Sequence, residues 1–168
     1  DDEAIDEFKA FVGAPDDATP RVIRMRIGKA RLSWVKNCLA LGLSSGFVEP
    51  LEATAIYSVH VGLQWLMHYF PDSDFNPATL ARYNEHIDGL YEEIVNFISL
   101  LYCINNRDDT EYWRAARNDL EIPEALQKNL ELWQHALPDE LDLKTKTFFT
   151  PTSYRAALMG KRYCKGRA

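Results

Sequence analysis

Apolar residues recur at helical spacing along most of the chain. From Asp2 to Val12, the residues Ile5, Phe8, Phe11 and Val12 fall on one side, the pattern of a short helix. Gly13 stops it and Ala14-Pro15-Asp16-Asp17 reads as loop. From Thr19 to Ile27 the period shortens to two: Val22, Arg24 and Arg26 share one face, and Ile23, Met25 and Ile27 the other. With a turn at Gly28-Lys29 and a second run from Ala30 to Trp34, this predicts a β-hairpin. Cys38 to Leu43 is a short apolar run that fits a buried strand. So few strands need a sheet or helix to pack on, and the rest of their sheet is expected outside these residues.

Beyond residue 55 the pattern is helical throughout. Ile56, Val59, Leu63, Leu66, Met67 and Phe70 mark one helix, ended by Pro71-Asp72-Ser73-Asp74. Asn76-Pro77 supplies an N-cap and a first-turn proline for the next. Leu80, Tyr83, Ile87, Leu90, Ile94, Phe97, Leu101 and Ile104 carry that helix to about Asn105, with Gly89 as a candidate bend. Thr110 to Asn118 predicts a shorter helix. Another starts at Glu121-Ile122-Pro123, turns Leu126, Leu130, Trp133 and Leu137 inward, and breaks at Pro138. Lys144 to Thr150 is irregular. Pro151-Thr152-Ser153 opens a last helix through Leu158, capped by Gly160. The fold class is therefore mainly α, with a small β portion near the start.

Composition narrows the function. The 168 residues suit one domain or a substantial piece of a larger one. A net charge of -6 offers no basic field for phosphates, which argues against nucleic acid as a partner. The basic tail from Lys161 to Arg167 reads as a solvated terminus. Cys38, Cys103 and Cys164 are distant and form no CxxC pair, so a reducing, cytoplasmic setting is expected. His60, His68, His86 and His135 have no metal-binding spacing, and no metal site is expected. No apolar run is long enough to span a membrane. The opening Asp1-Asp2-Glu3 has the wrong charge for a signal peptide, and without a methionine it reads as part of a longer or processed chain.

Candidate chemistry concentrates in Ser45-Gly46-Phe47-Val48-Glu49-Pro50-Leu51-Glu52-Ala53-Thr54-Ala55-Ile56. Two acids flank a proline just before a helix. The free N–H groups and positive dipole end of that helix make an anion site. Equally, Thr54 is a natural N-cap, and Glu52 near a helix start is stabilised by roughly 0.3–1 kcal/mol with no further role. A catalytic reading needs a carboxylate in a partly dry pocket that can accept a proton or orient a cation. A second cluster is Tyr102, Arg107, Asp108, Asp109, Tyr112 and Trp113. Its rings could stack on a flat aromatic ligand, or form core aromatics beside the helix cap Asp108-Asp109-Thr110.

These pieces together resemble a flavin-dependent halogenase of the tryptophan-halogenase family, in its C-terminal portion. The resemblance is carried by Trp34-Val35-Lys36-Asn37-Cys38-Leu39-Ala40-Leu41-Gly42-Leu43 running into Gly46-Phe47-Val48-Glu49-Pro50-Leu51-Glu52-Ala53-Thr54. Tyr69-Phe70-Pro71-Asp72, Arg82-Tyr83-Asn84, Asn96-Phe97-Ile98 and Arg107-Asp108-Asp109-Thr110-Glu111-Tyr112-Trp113-Arg114 extend it. It implies an enzyme that uses reduced FAD, oxygen and chloride or bromide to form hypohalous acid, which a lysine holds for attack by an electron-rich ring. The fold it implies is the helical, substrate-facing part of an α/β FAD-dependent monooxygenase-like enzyme. Residues 1–54 would complete the sheet of a flavin domain and end in the Glu49–Thr54 turn, and residues 55–168 would bind substrate. No GxGxxG follows a strand here, and the catalytic lysine has no candidate, so both are expected in a preceding segment. These residues alone are expected to be inactive.

Residue by residue, the resemblance makes Glu52 the active-site glutamate, which orients the halogenating species or takes the ring proton. The backbone amides of Thr54 and Ala55 fall at the halide site, Ala55 standing where the family often has glycine. Leu43 and Ile56 fall beside the flavin ring. Tyr102, Asp108, Tyr112 and Trp113 line the aromatic pocket. Leu101 replaces the usual His or Tyr, and Asp108 is shorter than the Glu of tryptophan-specific members. Both point to a phenol, pyrrole, indole or carrier-tethered aromatic rather than free tryptophan. A separate flavin reductase is the implied redox partner, and a homodimer is the assembly it allows. The alternatives are a helical binding module without catalysis and a related flavin monooxygenase that hydroxylates.

Overall fold

The computed structural model describes residues 2–163, and they are mostly helical, as the periodicity predicts. α1 (Asp2–Val12) and α2 (Thr54–His68) fall close to their expected places. α3 (Pro77–Cys103) opens with Asn76, whose side chain accepts the Ala78 N–H, and with Pro77 in its first turn. Gly89 does not interrupt α3. α4 (Glu111–Asn118), α5 (Glu124–Leu132) and α6 (Pro151–Gly160) complete the helical set. No helix among the described residues is long and apolar enough to cross a membrane.

The β portion differs from its expected pairing. β1 (Gly28–Lys29) pairs antiparallel with β4 (Gly46–Phe47), Gly28 opposite Phe47. Inside that pair, β2 (Trp34–Val35) forms a hairpin with β3 (Cys38–Leu39), around a turn in which Lys36 takes a left-handed φ of 54°. Residues 18–27 join no ladder among the described residues, although their alternation is strand-like. Both sides of that alternation, Val22 and Ile23, Met25 and Ile27, are exposed, so neither face has the burial that would fix a register. Gly28-Lys29, expected as the turn, is itself a strand. Cys38 to Leu43 is not a buried strand: Cys38 is exposed, and Gly42 at φ 57° bends the chain into a 3-10 turn against Val59 of α2.

Two cores position everything else. The larger lies between α3, α5 and α6 and includes Leu90, Ile94, Phe97, Leu100, Leu126, Trp133 and Leu158. The smaller packs Trp34 against Tyr83, Ile87 and Tyr91. Trp34 meets Tyr83 edge-on at 5.2 Å. Asn84 fastens the hairpin to α3: its Oδ1 accepts the N–H groups of Ser33 and Trp34, and its Nδ2 donates to the Trp34 carbonyl. This accounts for the Arg82-Tyr83-Asn84 run, since ring and amide hold the same strand. β4 can approach α3 because residue 46 is glycine; a Cβ there would sit 2.7 Å from Tyr91 Cζ.

Smaller departures have local causes. α5 ends at Leu132, six residues before the expected break at Pro138, and Leu137 is exposed rather than inward. There the chain turns so that the Trp133 indole N–H can donate to Asp142, and Pro138 is buried instead. Gly160 lies inside α6, whose C-cap is Lys161, and the chain reverses at Arg162 with φ 55°. The apolar side of α1 is uncovered, with Phe11 87% exposed. Of the basic tail, residues 164–167 lie outside the described residues, as does Cys164.

Candidate functional site

The turn between β4 and α2 is tightly wound. Pro50 leads into one 3-10 turn, Leu51–Ala53, and α2 follows at once. Glu52 and Ala53 both adopt left-handed backbone, with φ of 59° and 53°. For L residues this costs roughly 1–2 kcal/mol each. Consecutive left-handed residues persist only where their surroundings fix them, and such strain gathers at functional turns.

Thr54 helps to fix the turn, though not as the expected N-cap. It is the first residue of α2; the cap is Ala53, which offers no side-chain acceptor. The buried Thr54 hydroxyl donates backward, to the Glu49 carbonyl at 3.3 Å and the Leu51 carbonyl at 3.2 Å. The Thr54 N–H also turns back onto the Leu51 carbonyl. A halide at Thr54 would therefore share that donor. The Ala55 N–H follows in the first helical turn, where main-chain donors have no intrahelical acceptor. A cavity of about 10 Å³ opens here, lined by Glu49, Thr54, Ala55 and Ser58 among others. The Ala55 N–H and the positive end of α2 favour a small anion at this helix start, while the Glu49 carboxylate, which also lines the cavity, opposes one.

The two acids of the turn are placed differently. Glu52 is exposed, and its side chain makes no hydrogen bond or ion pair among the described residues. Glu49 is half-buried, and its Oε1 accepts the Tyr102 hydroxyl at 2.5 Å. Burial first, then the bonds to Glu49 and to the Tyr112 hydroxyl, push the Tyr102 hydroxyl well above its ordinary value, so it stays protonated as the donor. The sequence sets Glu49 beside Glu52 in one turn without distinguishing their roles. The signal for Glu49 was an acid set directly after the apolar pair Phe47-Val48.

Tyr102 leads from the turn into an aromatic group. Its ring stacks on Trp113 at 6.0 Å and 19° between planes, and Tyr112 meets Trp113 edge-on at 5.2 Å. The Arg107 guanidinium lies 4.5 Å from the Trp113 ring centroid, a cation–π contact that the sequence did not assign. Arg107 is held in turn by Asp109, at 3.0 and 2.6 Å. The guanidinium keeps the Asp109 carboxyl below its ordinary range. Thr110 caps α4 by accepting the Trp113 N–H. Asp108 is exposed, and its carbonyl, not its carboxylate, meets Arg114. Three of the four expected substrate residues, Tyr102, Tyr112 and Trp113, thus form one connected surface.

Leu43 and Ile56 are exposed, at 66% and 76%. Leu43 belongs to the 3-10 turn Gly42–Ser44, which packs on α2 through the contact of Gly42 with Val59, and Ile56 lies in the first turn of α2. Both are open apolar groups that could face the edge of a flat cofactor. Among the described residues, no group of three or more His, Cys, Asp or Glu is placed to hold a metal.

The tryptophan halogenase family profile matches residues 1–167. The 7-chloro-L-tryptophan 6-halogenase KtzR of Kutzneria sp. (strain 744) is 39% identical over 166 residues, covering 95% of this chain and 31% of KtzR. The crystal structure of the tryptophan 6-halogenase SttH from Streptomyces toxytricini superposes with a TM-score of 0.84 at 37% identity, over 94% of this chain and 31% of SttH. BrvH, a flavin-dependent halogenase from Brevundimonas sp. BAL3, gives 0.81 at 33% identity, over 97% of this chain and 32% of BrvH. The chain spans about a third of the length of these relatives. It belongs to the tryptophan halogenase family.

Proposed function

We propose that these residues form the helical, substrate-facing part of a flavin-dependent halogenase acting on an electron-rich aromatic compound. The observation that carries this reading is the link from the strained turn to the aromatic surface: Glu49 on the turn takes the hydroxyl of Tyr102, whose ring stacks on Trp113. The turn, with its free carboxylate and helix N-terminus, is thereby tied to a stacking platform on α3 and α4.

Reduced FAD, oxygen and chloride or bromide would supply the electrophilic halogen. The residues of this chain contribute the following, beside the flavin motif and the lysine expected in a preceding segment. Thr54 and Ala55, with the positive end of α2, hold the halide through main-chain N–H. Leu43 and Ile56 cover the cofactor edge. Tyr102, Tyr112 and Trp113 line the pocket for the aromatic ring. Arg107 polarises Trp113 from the face its guanidinium covers. Glu52 orients the halogenating species or takes the proton lost from the substituted ring. Asp108 reaches a polar group on the substrate. The substrate is a phenol, pyrrole, indole or carrier-tethered aromatic, and a separate reductase delivers the reduced flavin.

The test is turnover by the intact protein with reduced flavin, bromide and a panel of electron-rich arenes, read by mass spectrometry. A brominated product is expected. Oxygen insertion in its place would make the protein a hydroxylating monooxygenase, and tight arene binding without any flavin-dependent product would make it a binding module.

A further inference from the structure

The left-handed pair Glu52 and Ala53 needs external ties, and Glu49 supplies two. Its carbonyl accepts the Thr54 hydroxyl, closing the turn on itself. Its carboxylate accepts the hydroxyl of Tyr102, 53 residues further along the chain, on the last turn of α3. The same Tyr102 ring stacks on Trp113. Glu49 is thus fastened to the Glu52 turn by its main chain and to the aromatic surface by its side chain.

The geometry points to Glu49 as a positioning residue: its carboxylate locks the Pro50–Ala53 turn to the Tyr102 ring, holding Glu52 and the aromatic surface at one fixed separation. The catalytic consequence rests on the halogenase reading above, whereas the mechanical one rests on the hydrogen bonds alone. Glu52 has no side-chain anchor of its own among the described residues, so its placement follows that of the turn. A charge on residue 49 is not needed for this; an acceptor oxygen is. That separates positioning from proton transfer, because Gln keeps the acceptor and loses the basicity.

The experiment compares wild type, Glu49→Ala, Glu49→Gln and Tyr102→Phe in the intact protein by two readouts. The first is amide hydrogen exchange across residues 50–56. Glu49→Ala and Tyr102→Phe are each expected to speed exchange there about tenfold or more, with α5 unchanged and with no further gain when combined. Glu49→Gln is expected within about threefold of wild type. The second readout is halogenated product per reduced flavin consumed. Glu49→Ala is expected to lower it about 10–100-fold, through kcat rather than through KM for the arene, with Gln restoring most of it. Unchanged exchange in both Glu49→Ala and Tyr102→Phe would overturn the positioning role whatever the turnover. Loosened exchange with undiminished product would overturn its catalytic consequence. If Glu49→Ala fails to fold, Tyr102→Phe carries the comparison. If wild type makes no halogenated product, the halogenase reading fails, and the exchange comparison still decides the role of Glu49.

Discussion

The carboxylate of Glu93 accepts the main-chain N–H of Phe149 at 2.5 Å, joining the middle of α3 to the irregular segment that precedes α6. The neighbouring N–H groups of Thr147 and Phe148 come to the same carboxylate at 2.9 and 2.8 Å. Glu93 is only 3% exposed, yet it has no cationic partner among the ion pairs of the described residues. Its negative charge is spread over main-chain dipoles instead, which is how a buried acid avoids a large desolvation cost. The segment it gathers in turn places Phe149 flat on Phe97, with centroids 3.7 Å apart, and offers the Thr147 carbonyl to Tyr57 of α2.

Glu93→Ala should therefore be among the most damaging single changes in the helical part. It leaves buried N–H groups without an acceptor, each costing about 1–3 kcal/mol. A loss of about 3 kcal/mol or more is expected, seen as a lower urea midpoint with an unchanged slope. Glu93→Gln, which keeps one acceptor oxygen, should lose less. A midpoint within error of wild type for Glu93→Ala would show that water replaces the carboxylate without cost.

Ala53 offers the opposite kind of change. At φ 53° and ψ 25° it is a left-handed helix cap with no side-chain contribution. Glycine removes the Cβ strain of about 1–2 kcal/mol and returns part of it as extra freedom in the unfolded chain. Ala53→Gly is expected to stabilise by about 0.5–1 kcal/mol, measured by urea denaturation. A destabilised variant would mean that the turn relaxes out of the left-handed region in solution.

The helices were legible because their signals are local. Asn76-Pro77 marks the start of α3 by chemistry that operates within one turn, and the apolar period from Leu80 to Ile104 needs no knowledge of partners. The β portion was not, since pairing is non-local. Nothing near Gly28 says that its partner is Phe47, and the alternation of residues 21–27 invites a strand that no neighbour completes. In the site, the grouping of Tyr102, Tyr112 and Trp113 could be read from their clustering beside a helix cap. The difference between Glu49 and Glu52 could not. It depends on which acid meets the Tyr102 hydroxyl of α3 and which is left in solvent, a non-local matter. Glu93 did leave a trace, as an acid between Leu90 and Ile94 on an otherwise apolar stretch of α3.

Burial separates the cysteines and shapes the alkaline limb of stability. Cys103 is half-buried, and desolvation pushes its thiol up to about 11. Tyr83 is fully enclosed, and burial, then the neighbouring Tyr91, push its hydroxyl up to about 12. Both folded values lie above the unfolded ones, so the folded state holds these protons more tightly. Their contribution is complete below about pH 9 and is lost as pH rises toward about 12. Urea midpoints should fall across that range, less steeply in Tyr83→Phe and in Cys103→Ala. At neutral pH the exposed Cys38 should be alkylated well before Cys103, as read by peptide mass spectrometry. Equal labelling rates would show that α3 opens near its end.

Glu52→Gln tests the proposed reaction. The Glu52 side chain is exposed, and no hydrogen bond or ion pair among the described residues depends on it. Gln is nearly isosteric and keeps the backbone as it is, so stability should change by no more than about 0.5 kcal/mol. On the halogenase reading flavin oxidation does not involve this side chain and should continue. Halogenation should fall by about 10²–10⁴-fold, because an amide neither accepts the ring proton nor carries the charge that orients the electrophile. Reduced flavin would then be consumed without product, a loss of coupling visible when oxygen uptake is compared with halogenated arene. Wild-type product yield from Glu52→Gln would leave Glu52 as a surface acid at a helix start and move the search for the proton acceptor to Glu49, the other carboxylate of the same turn.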